Sequence, residues 1–411
     1  MKSNFCILPW IHSYTDNSGN RRLCCKSNAN IGTVDTPLKE FWHGDEMKDI
    51  RTRILNNERI DECKSCWISE DKGLISMRQV QTNEWATEVS LKPEAALITP
   101  IEDIEVITPQ MPFVFLIGAG SLCNLKCRMC GPNNSNLIEK EMKIHFPTEQ
   151  YFNKTGKEEW FNDQDTRDEM LDIMSNNTYN FIELVGGEPL LNPLIIDFLN
   201  SCVKTRISEK TVIKIVTNGT IVSTELLNIC EKFYRCKVSF SIDGVEAEQE
   251  YIRFPSRWSK VSTNLITVMK YFKDKPHCSM KIGCTVQLFN ILNLDKFLLW
   301  LEVLKKDHDL EATIGLSILQ FPEMYRLEML PIETRKMIAD RLQPFVNSEY
   351  LIQQHSRPLS DLVDWLRTHD KCIYDENKDR FWFKSNTMDR VRKQDIKTAL
   401  PELYNILKNQ D

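Results

Sequence analysis

No apolar run in the 411-residue chain approaches the roughly 20 residues that a membrane-spanning helix needs, so no membrane association is expected. The first residues carry Cys6 and Pro9 and soon reach His12 and Asp16. That is neither a secretory nor a transit signal, and the cytoplasm is the expected compartment. A basic excess is missing as well. The 58 acidic side chains outnumber the 52 basic ones for a net charge of −6, which offers a polyanion no whole-chain attraction, and no nucleic-acid partner is expected. Internal repeats and low-complexity tracts are also lacking. What remains, with 42% hydrophobic and 27% charged residues, is the balance of a soluble globular chain with room for two or three domains.

Cysteine is the residue the chain has in excess. Of fourteen, eight are grouped: Cys6, Cys24, Cys25, Cys63, Cys66, Cys123, Cys127 and Cys130. A cytosolic compartment keeps thiols reduced, so grouped cysteines read as metal ligands before disulfides. The scattered six (Cys202, Cys230, Cys236, Cys278, Cys284, Cys372) read as small buried apolar side chains.

Residues 1–90 read as a small cysteine-rich α+β module. Residues 91–112, with Pro93, Pro100, Pro109 and Pro112, read as an extended linker, because proline fixes φ and removes a donor. From residue 113 onward, short apolar runs at 113–117, 181–185, 212–216, 237–241, 280–286 and 313–319 alternate with amphipathic stretches such as 194–205, 224–233 and 294–305. Strands alternating with helices predict βαβ units and a parallel sheet. Six such units across residues 113–320 are too few for an eight-fold barrel. The expected fold class is α/β: a partial (β/α)6 TIM-like barrel, with the cysteine module before it and a helical C-terminal extension over 321–411 (helices at 332–345, 359–369 and 400–407). Functional residues of such barrels cluster at the carboxyl ends of the strands.

The segment Cys123-Asn-Leu-Lys-Cys127-Arg-Met-Cys130 follows the first predicted barrel strand. Three thiolates at these spacings can hold one iron–sulfur cluster from a single loop. Three ligands rather than four leave one iron open, as a catalytic cluster requires, whereas a structural zinc site would want a fourth ligand close by. Cx3Cx2C after the first strand of an α/β barrel resembles the signature of the radical S-adenosylmethionine (SAM) superfamily. The resemblance implies that the open iron binds the amino and carboxylate groups of SAM, and that electron transfer cleaves SAM to a 5′-deoxyadenosyl radical. Met129 stands where relatives usually carry an aromatic residue against the adenine. Gly186-Gly187-Glu188-Pro189, after the second predicted strand, resembles the motif whose backbone and glutamate receive the SAM ammonium; glycines admit close backbone approach and the glutamate supplies a charged acceptor. Thr217-Asn218-Gly219 and Ser241-Ile-Asp243-Gly244 end the next two strands and resemble segments lining the SAM pocket, with Ser241 or Asp243 near the ribose. Arg253 stands where many relatives hold the SAM carboxylate, and Gln287 and Asn290 follow the fifth strand in a segment familiar from the same enzymes. Turn chemistry after a strand accounts for several of these residues equally well.

Cys6, twelve residues, Gly19, four residues and Cys24 are followed after a gap by the pair Cys63 and Cys66. Two thiolates joined to a CxxC pair make a four-ligand metal site, zinc or iron–sulfur on spacing alone. With Ile31-Gly32, Phe41-Trp42 and Arg51 in between, the pattern resembles the SPASM/twitch auxiliary-cluster module of radical SAM enzymes. The glycine spacing favours Cys24 over Cys25 as a ligand. Such modules usually follow the barrel; here the module precedes it, and residues 386–403 are candidates to pack back against it.

The resemblance implies two [4Fe–4S] clusters and SAM as cofactors, a flavodoxin- or ferredoxin-type reductant protein as a partner, and hydrogen abstraction from a peptide, a protein or a small polar metabolite. Four cysteines saturate the auxiliary cluster and leave it electron transfer, which favours oxidation or bond formation. No catalytic residue beyond the ligands is assigned. A non-enzymatic iron–sulfur or zinc protein would account for the cysteines but not for the motifs at the strand ends. The stretch 131–180, with Trp160, Phe161 and many charges, is the expected place for substrate contacts.

Overall fold

A computed structural model describes residues 4–27, 29–71, 75–90, 110–147, 156–353 and 359–410. Nearly all of the expected linker 91–112 lies outside these residues. The chain divides into two compact units. One comprises residues up to 122 together with 151–215 and 228–236, and the other comprises 123–150, 216–227 and 237–411.

In the first unit the cysteine module contributes β1 (His12–Thr15), β2 (Asn20–Arg22) and β3 (Gly32–Thr33). The barrel sequence contributes β4 (Val114–Gly118), β5 (Asn180–Val185) and the start of β6 (Thr211–Thr217). β1 pairs in parallel with β4 through Tyr14–Leu116, β4 with β5 through Leu116–Glu183, and β5 with β6 through Glu183–Lys214. β2 and β3 continue antiparallel from β1, so the module extends the barrel's own sheet from its first strand. In β5 the side chains alternate: Ile182 and Leu184 are fully buried while Phe181, Glu183 and Val185 are half-buried, the period of two expected of a pleated strand. The following helix Pro193–Lys204 starts where the Asn192 side chain caps the Leu194 N–H at 3.0 Å and proline occupies the first turn, both favoured helix starts. It buries Ile195, Phe198, Leu199 and Cys202, one apolar stripe at helical spacing.

One core joins the module to these strands: Phe5, Trp10, Trp42 and Ile50 pack in the same cluster as Val114 and Val212. The module's signature residues are its internal braces. Gly19 sits at φ +75°, and a Cβ there would lie 2.9 Å from the Val34 side chain, so the β1–β2 turn needs glycine. Arg51 is fully buried. Its Nε donates to the Pro9 carbonyl at 3.0 Å, its Nη1 donates to the Trp42 carbonyl at 2.8 Å, and its guanidinium lies 4.6 Å from the Trp42 ring centre. Burial lowers its pKa to about 10, which leaves it charged.

In the second unit β7 (Arg235–Ser241), β8 (Cys278–Val286), β9 (Thr313–Ile318) and β10 (Ile352–Gln353) lie side by side in that order, with β8–β9 and β9–β10 parallel. Helices Trp258–Phe272 and Leu294–His308 separate the strands. All six strands expected from β4 to β9 form, each within two residues of the sequence reading, in the alternation of a partial (β/α)6 barrel. The C-terminal region is helical: Ile332–Leu342, Leu359–Thr368, Tyr374–Arg392, Ile396–Ala399 and Pro401–Lys408. Tyr374–Arg392, at 19 residues, has no counterpart in the sequence reading. Among the described residues no helix is long and apolar enough to cross a membrane.

Replacing Arg51 with methionine leaves the Pro9 and Trp42 carbonyls unpaired in the core. At ~1–3 kcal/mol for each buried acceptor, the variant is expected to lose about 2–6 kcal/mol, measured by anaerobic chemical denaturation. A loss below about 1 kcal/mol would make the guanidinium a packing element only.

Candidate metal and cofactor site

In the second unit the segment Cys123–Cys130 forms a loop whose backbone is tied down along its length. The Cys123 N–H donates to Asn136 Oδ1 at 3.1 Å, the Leu125 N–H to Cys123 Sγ at 3.4 Å, and the Cys130 N–H to the Cys127 carbonyl at 3.1 Å. The Lys126 and Arg128 N–H groups donate to the carbonyls of Phe254 (2.5 Å) and Ile252 (2.9 Å). Cys123 and Cys127 are buried and Cys130 half-buried, packed with Leu125 and Met129 in one cluster.

The intervening polar side chains all turn to protein partners. Asn124 exchanges hydrogen bonds with Thr220 (2.8 Å) and Asn218 (2.9 Å). Lys126 reaches Glu141 at 2.7 Å, and Arg128 forms a buried ion pair with Asp389. The other polar side chains of the loop are its thiols. Cys130 donates to Cys127; that bond, helped by the nearby Arg253, holds the Cys127 thiol below its ordinary range against burial, while the same bond and burial push Cys130 up. Arg253 Nη1 lies 3.9 Å from Cys127 Sγ.

The strand-end residues form a second network in the same unit. Asn218 does not point a free amide outward: its Oδ1 accepts from Thr220 N–H (2.9 Å) and its Nδ2 donates to Asn124, so it fixes the residue after Cys123. The buried Thr217 hydroxyl accepts the Gly219 N–H at 3.1 Å. Asp243 is fully buried. One carboxylate oxygen accepts from Arg253 Nε at 2.7 Å and the other from the Thr285 N–H at 2.8 Å. Its backbone is held by Gln249 and Asn290. Burial opposes the charge on Arg253, but Asp243 and then the cluster thiols outweigh it and raise its pKa. Ser241, half-buried, ends β7. Gln287 is fully buried, and its Oε1 has no hydrogen-bond partner among the described residues, an orphan acceptor of the kind a ligand's donor satisfies.

In the first unit, Gly186-Gly187-Glu188-Pro189 wraps the residues just before Cys123. The Gly187 N–H donates to the Gly120 carbonyl at 3.0 Å and the Glu188 N–H to the Leu122 carbonyl at 2.8 Å. Gly186 sits at φ +134°, and a Cβ on Gly187 would lie 2.3 Å from the Leu122 oxygen, so neither position admits a side chain. The Glu188 carboxylate is buried, and its Oε1 caps the Leu190 N–H at 3.2 Å in the turn that Pro189 opens.

Four further thiols of the same unit lie near enough to raise one another's pKa. Burial raises the Cys6 thiol, and Cys63, Cys24 and Cys66 add to the effect. Cys24 is pushed up to about 12 by burial, then by Cys25, with a contribution from Cys66. Cys63 is pushed to about 12 by burial, Cys24 and Cys66. Cys25 is exposed. An all-thiol set of this kind fits an iron–sulfur cluster and gives up protons on loading. Among the described residues no three His, Cys, Asp or Glu side chains converge closely enough to hold a lone ion.

Two expectations need correction. Trp160 and Phe161 are buried, not presented to a substrate; the Trp160 indole donates to the Gly118 carbonyl at 2.8 Å and stacks edge-on with Phe161. In the segment 386–403, Asp389 and Arg392 pair with Arg128 and Glu141 within the second unit. Of the scattered cysteines, five are buried as expected, Cys284 among them, but Cys372 is exposed. The sequence reading missed Asn124, Lys126, Arg128 and Gln249. Only the placement of the first three between ligand cysteines could have marked them.

Residues 119–286 match the Radical SAM superfamily domain, and residues 6–67 match the SPASM iron–sulfur cluster-binding domain. No curated protein matches the chain. Among solved structures, native anSMEcpe with bound AdoMet is 16% identical with a TM-score of 0.42, the match covering 59% of this chain and 63% of that one. Streptococcus suis SuiB bound to the precursor peptide SuiA is 13% identical with a TM-score of 0.36, covering 68% and 55%. The chain therefore spans less than two thirds of the length of either.

Anaerobically reconstituted protein is expected to carry about eight irons as two four-iron clusters. Replacing Cys123, Cys127 and Cys130 with alanine should remove half and leave the spectrum of the other cluster, whereas zinc held by the N-terminal thiols would contradict the assignment. The chain thus carries a Radical SAM domain over residues 119–286 with a SPASM iron–sulfur domain over residues 6–67 ahead of it, and these two domains imply [4Fe–4S] clusters and SAM as cofactors.

Proposed function

We propose that the protein reductively cleaves SAM and uses the resulting 5′-deoxyadenosyl radical to abstract a hydrogen from a peptide or protein substrate, leaving it oxidised or newly bonded. The observation that carries this reading is the Cys123–Cys130 loop, where Asn124, Lys126 and Arg128 are all committed to protein partners and the three thiols form the remaining donor set. A [4Fe–4S] cluster held by these thiols would supply the one electron that cleaves SAM to methionine and the radical. Cys123, Cys127 and Cys130 hold that cluster, and three ligands leave a position for SAM. Arg253, fixed by Asp243, keeps a positive charge beside Cys127 and eases the accumulation of thiolate charge there. By the family resemblance, Glu188 and the Gly186–Gly187 backbone are the residues assigned to the SAM ammonium; within the second unit, Met129, Thr217, Ser241 and the orphan acceptor of Gln287 are assigned to SAM as well. Asn218 acts through Asn124 on the shape of the loop.

Cys6, Cys24, Cys63 and Cys66 hold the second cluster. Four protein ligands fill its iron positions, so its work is to move an electron rather than to bind substrate. That favours a net oxidation, with a flavodoxin- or ferredoxin-type protein as the electron source. A peptide ranks ahead of a small polar metabolite because SPASM-type relatives include many that modify ribosomally made peptides. By this reading residues 1–90 act as the auxiliary module, 113–320 as the catalytic barrel and 321–411 as its C-terminal support.

Reduced protein is expected to convert SAM to 5′-deoxyadenosine, measured by chromatography, even without substrate. Glu188→Ala should weaken SAM binding by about 1.5–3 kcal/mol, the worth of a charged hydrogen bond; unchanged affinity would reduce Gly186–Pro189 to a turn. The double variant Cys63→Ala/Cys66→Ala should retain 5′-deoxyadenosine formation. Its loss in a folded variant would assign the N-terminal cluster to electron delivery into the barrel.

A further inference from the structure

The radical SAM match ends at residue 286, and nothing in it assigns work to the C-terminal helices. Two of their buried charged groups, Asp389 and Arg392, converge on the side chains of the cysteine loop, within one compact unit. Arg128, between Cys127 and Cys130, is almost wholly buried. Its Nη2 donates to Asp389 Oδ1 and, at 3.1 Å, to Gln394 Oε1; its Nε donates to the Tyr251 carbonyl at 3.0 Å, and its guanidinium lies 3.6 Å from the Tyr251 ring centre. Asp389 is itself fixed: its Oδ2 accepts from the Ile396 N–H at 2.8 Å and the Tyr251 hydroxyl at 3.3 Å. Helix Tyr374–Arg392 stops at Lys393, which adopts φ +54°, and the chain doubles back so that the Gln394 N–H donates to the Asp389 carbonyl at 2.9 Å. That turn delivers Gln394 to Arg128. A second clamp runs through Glu141, which accepts from Arg392 Nη2 at 2.5 Å and from Lys126 at 2.7 Å. Burial works to raise the Glu141 carboxyl pKa, but Arg392 and then Lys126 outweigh it and hold it low.

We propose that Asp389 and Arg392 are positioning residues for the catalytic cluster, holding the two cationic side chains that alternate with its ligands and so setting where the three thiols stand. The inference rests on the reading that this loop carries the SAM-binding cluster. Asp389 touches neither cluster nor SAM; it acts through Arg128. Residues that orient metal ligands from behind change metal affinity when removed, and the effect here is confined to one of two clusters.

The test uses full-length holoenzyme with Asp389→Asn, Arg128→Gln, the double variant, and Asp395→Ala. Asp395 lies in the same turn but caps Lys397 and Thr398. Two quantities are read on each: iron lost to a ferrous chelator, and the electron paramagnetic resonance spectrum of the reduced protein with and without SAM. Asp389→Asn and Arg128→Gln should each weaken retention of the catalytic cluster about 10- to 100-fold and blunt its response to SAM, while the N-terminal cluster's signal holds. The double variant should be no worse than the poorer single one, because both remove the same contact, and Asp395→Ala should match wild type. Wild-type iron retention and SAM response in Asp389→Asn, or an equal loss in Asp395→Ala, overturns the inference alone. A wild-type protein whose reduced spectrum ignores SAM overturns the functional reading beneath it.

Discussion

A guanidinium buried in the middle of a metal-binding loop is the constraint around which the second unit is arranged. Arg128 lies between Cys127 and Cys130, and burying it without partners would cost several kcal/mol. The fold meets that cost from three directions at once: a carboxylate from Asp389, a carbonyl and a ring face from Tyr251, and the Gln394 amide. Each of these acts on the loop as well as on the charge, since an arginine held on several sides cannot shift without dragging Cys127 and Cys130. The backbone bonds from Lys126 and Arg128 to residues 252–254 fix the same loop from below, and 253 is the arginine that faces Cys127. Ligand placement, local charge and the C-terminal helices thus form one mechanical system.

The cysteine module solves a different problem. It is small, and its strands alone could not close a core. It adds its first strand to the edge of β4 and shares the core of the barrel's early strands. Its signature residues then have structural explanations: Gly19 makes a turn that a side chain would block, and Arg51 ties two carbonyls to an indole face. A module built in this way can precede the barrel because what it needs is a free strand edge, which sequence order does not dictate.

Much of this was legible in the residues. The six strands stand out because buried strands are short apolar runs bounded by turn residues, and the ligand cysteines because their spacing has few other uses. What escaped was whatever depends on partners far away in sequence. Helix Tyr374–Arg392 buries Asn377, Lys384, Ser385, Thr387, Asp389 and Arg392 beside Tyr374, Phe381 and Met388, so its inward face is mostly polar and its apolar row is too thin to read. The carboxylate of Asp243 looks like a ribose ligand at a strand end, yet it is spent on Arg253 and Thr285. Trp160 and Phe161 sit in a charged stretch that reads as surface, and they are core because the Gly118 and Asp16 carbonyls need the indole N–H.

The central claim is that the Cys123–Cys130 loop presents an iron to SAM itself. Electron–nuclear double resonance on the reduced holoenzyme with SAM labelled at its amino nitrogen and carboxylate oxygen tests this at the atoms concerned. The account predicts hyperfine coupling from both labels to the cluster, abolished when Cys123, Cys127 and Cys130 are replaced. A fully loaded wild-type protein that binds SAM but shows neither coupling would contradict it.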